Sequence, residues 1–365
     1  MESNFIESEE SVTEMSSTVK ESILTEQKKE VEWKVEIFTG IRPTGDLTVA
    51  NFVGAVLPII ELQKQGKHPL VFVADLHAMT DKEPRIAMQF TNAVVADYIA
   101  LGLNPEQTDI FVQSTIAPQI GQFTLYLMRH ISISELIRVP TLKDKLKFRQ
   151  KEENASALLA NYPVMMAADI LIQKAKEVSV GEDQVPHIEV ARLLAKRFNA
   201  QYGEILYVPK VQQLKAVRIQ SLKGENKMSK TNPGSAIFLT DRLDEVAKKI
   251  KKVETAFAGE MNPTLESHIS LAKSLAYRSE DRLLIDEIVD AHMKGQTVMG
   301  DFKNIFTKIT VEFIENFQQK RALALSDPTY IPSVLEHGAK KAKENADETL
   351  DSVYKAMTSG IQNEK

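Results

Sequence analysis
A short apolar run, Val35-Glu-Ile-Phe38, feeds a turn built on Gly40, Pro43 and Gly45, and a helical pattern over 48–66 begins directly beyond it. That handover constrains topology, because a strand that leaves through a helix returns to the sheet as a parallel neighbour with a right-handed crossover. The pattern then repeats. Pro69-Leu-Val-Phe-Val-Ala-Asp75 is a continuous apolar run, as a parallel strand covered on both faces requires. Residues 84–102 read as a long helix ending at Gly102, and Thr108-Asp-Ile-Phe-Val-Gln113 is another buried run. The alternation predicts an α/β chain with a doubly wound parallel sheet. Ligands of such sheets sit at the carboxyl ends of strands, here Thr39–Gly45, Asp75–His77 and Gln113–Ser114.

Further along, 121–160 reads as mostly helical, with basic residues at Lys143, Lys145, Lys147, Arg149 and Lys151. Residues 162–175 form a further helix. Val178-Ser-Val180 is a short strand into Gly181-Glu-Asp-Gln184, with a helix to about residue 198. From 241 to 335 the chain is almost wholly helical, and a last helix covers about 337–358. We therefore divide it into an acidic, disordered extension (1–33), a Rossmann-like domain with a helical insert (34–235), an α-helical second domain (236–335) and a C-terminal helix (336–365).

Composition removes whole classes of chemistry. The chain of 365 residues has no cysteine, which excludes disulfides, thiolate metal sites and cysteine nucleophiles. Seven scattered histidines without HExxH-type spacing argue against a permanent metal site. No apolar run approaches the ~18–20 residues of a membrane span, and the acidic N-terminus lacks a signal-like apolar region, so the expected location is the cytoplasm. Residues 1–34 hold nine Glu and four Lys, which accounts for the full net charge of −5 and leaves the remainder formally neutral. Contact with nucleic acid must therefore use local basic patches.

Two segments carry chemistry. In Gly40-Ile-Arg-Pro-Thr-Gly45 the glycines let backbone approach a ligand, and the following helix offers free N–H groups to an anion. By itself such a segment is more often a plain strand–turn–helix corner. Lys227-Met-Ser-Lys-Thr231 places two lysines three apart in a Gly/Asn/Pro-flanked loop, suited to charge that builds on a leaving pyrophosphate. A lone KxxK is more often a solvated loop. GxxxxGK is absent, so this is not a Walker loop.

Together the segments resemble the paired signatures of class I aminoacyl-tRNA synthetases, with Thr48-Val-Ala-Asn51 at the HIGH position and Lys227–Thr231 at the KMSKS position. Tyr162-Pro-Val-Met-Met-Ala-Ala-Asp-Ile-Leu171 and Val180-Gly-Glu-Asp-Gln184 narrow the resemblance to the tryptophanyl branch, from about residue 35 to the C-terminus. The resemblance implies an ATP site at Arg42, Thr44, Gly45, Ala50, Asn51, Gly181, Asp183, Gln184, Arg218, Ile219, Lys227, Met228, Ser229 and Lys230. It implies a tryptophan pocket at Phe38, Gly40, His77, Tyr162, Met166, Asp169, Val178, Val180 and Gln184. Asp169 would accept the indole N–H, while Tyr162 and Gln184 would meet the α-amino group. An indole N–H is donor-only, and phenylalanine would leave a buried acceptor unpaired. Lys227, Lys230, Lys145, Thr48 and Asn51 would act on the phosphates.

Three positions depart from the pattern. Ala50 replaces a nearly obligatory glycine, where a methyl would crowd the adenine; Arg42 replaces the usual glutamine; Thr231 replaces serine and keeps the hydroxyl. The implied reaction is attack of the tryptophan carboxylate on the α-phosphorus of ATP, with Mg2+ carried on the nucleotide, then transfer to the 2′-hydroxyl of the terminal adenosine of tRNA(Trp). Closure of the lysine loop would gate the first step. The helical domain would read the anticodon, with Lys248, Lys249, Lys251 and Lys252 as phosphate contacts, and the C-terminal helix would pack back on the catalytic domain. A homodimer, and no DNA or membrane partner, complete the expectation. The alternatives are a tyrosyl-type synthetase, a paralogue that binds tryptophan or a partner without charging tRNA, and a drug-tolerant duplicate.

Overall fold
The computed structural model describes residues 31–43, 45–80, 82–148, 156–213, 219–224 and 226–359. The extension up to residue 30 lies outside them, as do Thr44, Arg149, Lys151 and Arg218.

Five parallel strands form one sheet: β1 (Val35–Ile41), β2 (Pro69–Val73), β3 (Asp109–Val112), β4 (Ala175–Val180) and β5 (Lys210–Gln213). Their order is β3-β2-β1-β4-β5, so the direction of winding reverses between β1 and β4, where a doubly wound sheet opens its crevice. Register brings Phe38 opposite both Leu70 and Val178, and Gly40 opposite Phe72. A side chain at Gly40 would drive its Cβ to 2.5 Å from the Phe72 ring. That ring stacks on Phe38 at 4.9 Å between centroids.

Above the first crossover, α1 spans 49–64 with an unexpected interruption. It opens as an α turn, Val49–Asn51, widens to π geometry over Phe52–Val56, and returns to α at Leu57–Lys64. The expected helix 84–102 is two pieces, Pro84–Gln89 and α2 (Thr91–Ala100), separated at Phe90, which leaves helical geometry at φ −97° and ψ 3°. The insert likewise breaks into α3 (Ala117–Met128), a turn Ile133–Ile137 and α4 (Pro140–Phe148). Ser132 and Glu135 form a reciprocal capping box that starts the middle piece. Then follow α5 (Ala157–Ile172) and α6 (Val185–Tyr202). Strand β4 begins three residues before the expected Val178, and β5 was not anticipated. From Leu243 on, the described elements are helices: α7 (Leu243–Lys251), α8 (Pro263–Leu275), α9 (Ser279–Met293), α10 (Met299–Ser326) and α11 (Tyr330–Thr358).

The sheet separates two apolar cores. On one side α1 and α2 pack with α7–α10, and Phe52 meets Phe313 at 4.7 Å between ring centroids; such an aromatic pair adds ~1 kcal/mol beyond area burial. On the other side α3–α6 pack with the second half of α11. That helix crosses β3 so closely that a Cβ on Gly338 would lie 2.1 Å from the Ile110 carbonyl oxygen, so only glycine is accommodated. Gln173 and Asn345 fasten the crossing: the Gln173 amide donates to the Ala342 carbonyl at 3.0 Å and accepts from Asn345 at 3.0 Å.

Candidate active site
A cavity of about 550 Å³ opens at the carboxyl ends of β1 and β4. It gathers Phe38, Gly40, Arg42, His77, Lys145, Tyr162, Met166, Val178, Val180, Gly181, Asp183 and Gln184 of the expected residues. Thr39 ties its two strands together by donating to the Ser179 carbonyl at 2.9 Å. The size suits an aromatic amino acid beside part of a nucleotide.

Asp169 is 2% exposed and stands behind this wall, outside the lining. Its Oδ2 pairs with His77 Nε2 at 2.8 Å, and the Gln113 amide nitrogen lies 2.9 Å from both carboxylate oxygens. Burial pushes the Asp169 carboxyl up, and the His77 and Gln113 donors oppose it. His77 itself faces the cavity, so it stands between the void and the carboxylate.

Across the cavity a hydroxyl–imidazole–amide chain holds Tyr162. The Tyr162 hydroxyl donates to Thr141 at 3.0 Å and lies 2.8 Å from His187 Nε2. His187 Nδ1 lies 3.1 Å from the Gln184 carbonyl oxygen, and the Gln184 amide donates to Asp183 at 2.7 Å. An N–H directed at that carbonyl leaves Nε2 as an acceptor, the neutral tautomer. Burial, reinforced by Lys145, lowers His187 to about 4, which agrees. Burial raises the Tyr162 phenol. The Lys145 ammonium rests over the Tyr162 ring, 4.3 Å from its centroid. Sequence reading missed Thr141, His187 and the full role of Gln113. The available signals were helical spacing: Thr141 precedes Lys145 by four residues and His187 follows Gln184 by three.

The other expected residues lie along the glycine turn and lysine loop. Thr48 caps α1: its hydroxyl accepts the Asn51 N–H at 3.2 Å, while Asn51 Oδ1 accepts from the Thr48 N–H and hydroxyl at 3.0 Å each. Both side chains thus serve the helix end. Ala50 is half-buried against the α1 core and outside the cavity lining, whereas Gly54 and Ala55 in the π turn border it. Residues 219–224 and 226–228 fold back on one another, with Met228 N–H donating to the Ile219 carbonyl at 2.9 Å and both side chains buried. Lys227 is exposed. Lys230 reaches across and donates to the Gly45 carbonyl at 3.0 Å, so the two signature segments touch. Burial lowers Lys230, and Asp46 opposes that. Ser229 and Thr231 share a hydroxyl contact of 2.6 Å. Of the α7 lysines, Lys249 is held by Asp241 at 2.6 Å and the Ala236 carbonyl, and Lys248 by Asp244 at 2.9 Å; Lys251 and Lys252 are exposed. No group of three His, Cys, Asp or Glu side chains among the described residues is placed to hold a metal ion.

The family model described as tRNA synthetases class I (W and Y) matches residues 29–327. The tryptophan–tRNA ligase of Lactococcus lactis subsp. lactis is 33% identical over 343 residues, covering 89% of this chain and 98% of the relative. That of Halalkalibacterium halodurans is 33% identical, with 90% and 98% covered. Among solved structures, the Mycoplasma pneumoniae tryptophanyl-tRNA synthetase superposes with TM-score 0.76 at 30% identity, over 91% of this chain and all of that one (100%). The Campylobacter jejuni enzyme complexed with ADP and tryptophan gives 0.75 at 26% identity, over 88% and 99%.

Proposed function
The chain belongs to the class I tRNA synthetases of the tryptophan and tyrosine group, and from that membership we infer that it joins tryptophan to tRNA at the expense of ATP. The observation that carries the amino acid specificity is the Asp169 carboxylate. It is a buried acceptor behind the wall of the cavity, paired with His77, which lines it, at the switch point of the sheet. A ligand with one ring N–H suits it, and a plain phenyl ring would gain nothing from it.

In the reaction the tryptophan carboxylate attacks the α-phosphorus of ATP and pyrophosphate departs; the tRNA 2′-hydroxyl then takes the acyl group and releases AMP. No side chain need become covalently modified, so catalysis is positioning and charge stabilisation. We assign Phe38, Gly40, Met166, Val178 and Val180 to the indole walls, and Tyr162 and Gln184 to the α-amino group. Arg42, Gly45, Gly181 and Asp183 go to the nucleotide, and Lys145, Lys227 and Lys230 to its phosphates. Thr48 and Asn51 act by fixing the first turn of α1 beside the glycine turn. Mg2+ arrives on ATP. Residues 236–335 carry the anticodon contacts, with Lys251 and Lys252 the exposed cations at the C-terminal end of α7, and the working unit is a homodimer in the cytoplasm. No helix among the described residues is long and apolar enough to cross a membrane.

The test is tryptophan-dependent ATP–pyrophosphate exchange by the purified chain, with tyrosine as control, followed by charging of tRNA(Trp). Exchange with tryptophan alone is expected. Exchange with tyrosine would convert the reading to the tyrosyl type, and tryptophan binding without exchange would make the chain a non-charging paralogue.

A further inference from the structure
We infer that Gln113, at the end of β3, is the positioning residue that orients Asp169 toward a ligand with a single ring N–H; the inference rests on the tryptophan reading above. Gln113 is fully buried at 0% exposure. Its amide nitrogen spans both Asp169 oxygens at 2.9 Å each, and its carbonyl oxygen accepts the His77 backbone N–H at 3.3 Å. One side chain thereby fixes the carboxylate of α5 and the start of the short helix Asp75–Ala78 that carries His77. The amide has only one sensible orientation. Flipped, its oxygen would face the carboxylate and its NH2 would face the His77 N–H, two repulsive contacts in place of two attractive ones.

The arrangement does more than hold a shape. Two donors on a carboxylate still leave lone pairs, since ionised Asp has about four acceptor sites. An incoming N–H can thus be accepted without displacing Gln113. Two ionisable groups act on Asp169, His77 and Asp75, and Asp75 is occupied elsewhere, accepting N–H groups of Leu76 and Ser114 at 2.9 and 3.0 Å. Burial raises Asp169; His77 and Gln113 lower it, and Asp75 raises it further. Without the amide the balance moves toward the protonated acid, which accepts less well from a ring N–H.

The experiment compares the wild-type chain with Q113L and Q113E. Affinities for tryptophan and for 3-benzothienylalanine, the isostere with sulfur in place of N–H, are measured by calorimetry between pH 5 and 8. In Q113L the preference for tryptophan should fall about tenfold, the worth of a charge-assisted hydrogen bond. Isostere affinity should stay within about twofold, and tryptophan binding should weaken at a higher pH than in wild type. In Q113E the new carboxyl shares a proton with Asp169, so the preference should strengthen as pH falls, the opposite sign. Equal losses for both ligands, or an unchanged preference with an unchanged pH profile, would overturn the assignment. Should Q113L not fold, the near-isosteric Q113E decides by the sign of its pH dependence. Wild-type protein that binds tryptophan without pyrophosphate exchange would sink the ligase reading and leave this comparison intact. A wild type indifferent between the two ligands would overturn the positioning role.

Discussion
The two ends of the cavity are built to different standards of completeness. At the amino acid end Asp169, His77, Gln113, Tyr162, Thr141, His187 and Gln184 already bond to one another, so a ligand meets side chains in place. At the phosphate end Lys227 is exposed and Lys230 rests on a backbone carbonyl of the glycine turn. A preorganised pocket spends its folding energy in advance and gains specificity. A phosphate entering there can compete with that carbonyl for the Lys230 ammonium. Substitutions at the first end should therefore change which ligand binds, and at the second how fast it reacts.

The largest effect should separate those roles. Lys230→Ala removes a cation from where pyrophosphate charge develops, and kcat of exchange should fall by roughly 10³ while tryptophan affinity stays within about twofold. A parallel loss of tryptophan binding would erase the distinction between the ends.

Next comes a pH dependence that only the built end can have. His187 is neutral in the folded chain, lowered from 6.5 to about 4, chiefly by burial. Between those values the unfolded chain takes up a proton that the folded chain does not. Stability therefore falls as pH drops through that window and levels off below it. The shift corresponds to roughly 3 kcal/mol. His187→Gln should flatten the difference in urea midpoint between pH 7 and pH 4.5; an unchanged slope would move the acid sensitivity elsewhere.

Asp169→Asn keeps the shape and removes the charge. The tryptophan KM should rise by roughly 10², the worth of a hydrogen bond to a charged group, with the ATP KM nearly constant. Equal rises would make Asp169 a structural residue of both ends.

The same contrast explains what could be read without coordinates. The phosphate residues lie in contiguous motifs, so Lys227 and Lys230 announce themselves by spacing. Asp169 is visible because a charged residue in the apolar stretch Met165–Leu171 requires a partner. Its partners are not visible: Gln113 lies 56 residues away and Thr141 meets His187 across 46, distances over which no periodicity operates. Buried parallel strands stand out as apolar runs, yet β5, Lys210-Val-Gln-Gln213, is a polar edge strand with no such run. The breaks at Phe90 and in the π turn escaped because apolar spacing continues through both.

The smallest expected effect is at Ala50. Comparison with the family motif suggests that its methyl obstructs the nucleotide, and the fold supplies a different account. Ala50 packs against the α1 core, while Gly54, a turn further along in the π segment, borders the cavity and has nothing within 4 Å of where a Cβ would stand. The bare backbone that the motif normally offers at position 50 is thus offered at 54. Ala50→Gly should leave the ATP KM within about twofold and lower stability by ~0.5–1 kcal/mol, the ordinary cost of glycine in a helix. Gly54→Val, filling the open space, should raise the ATP KM severalfold more than Ala50→Gly changes it. A fall in KM for Ala50→Gly would place the adenine against the first turn of α1 after all. The phosphate end would then owe part of its rate to a residue that packs against the α1 core.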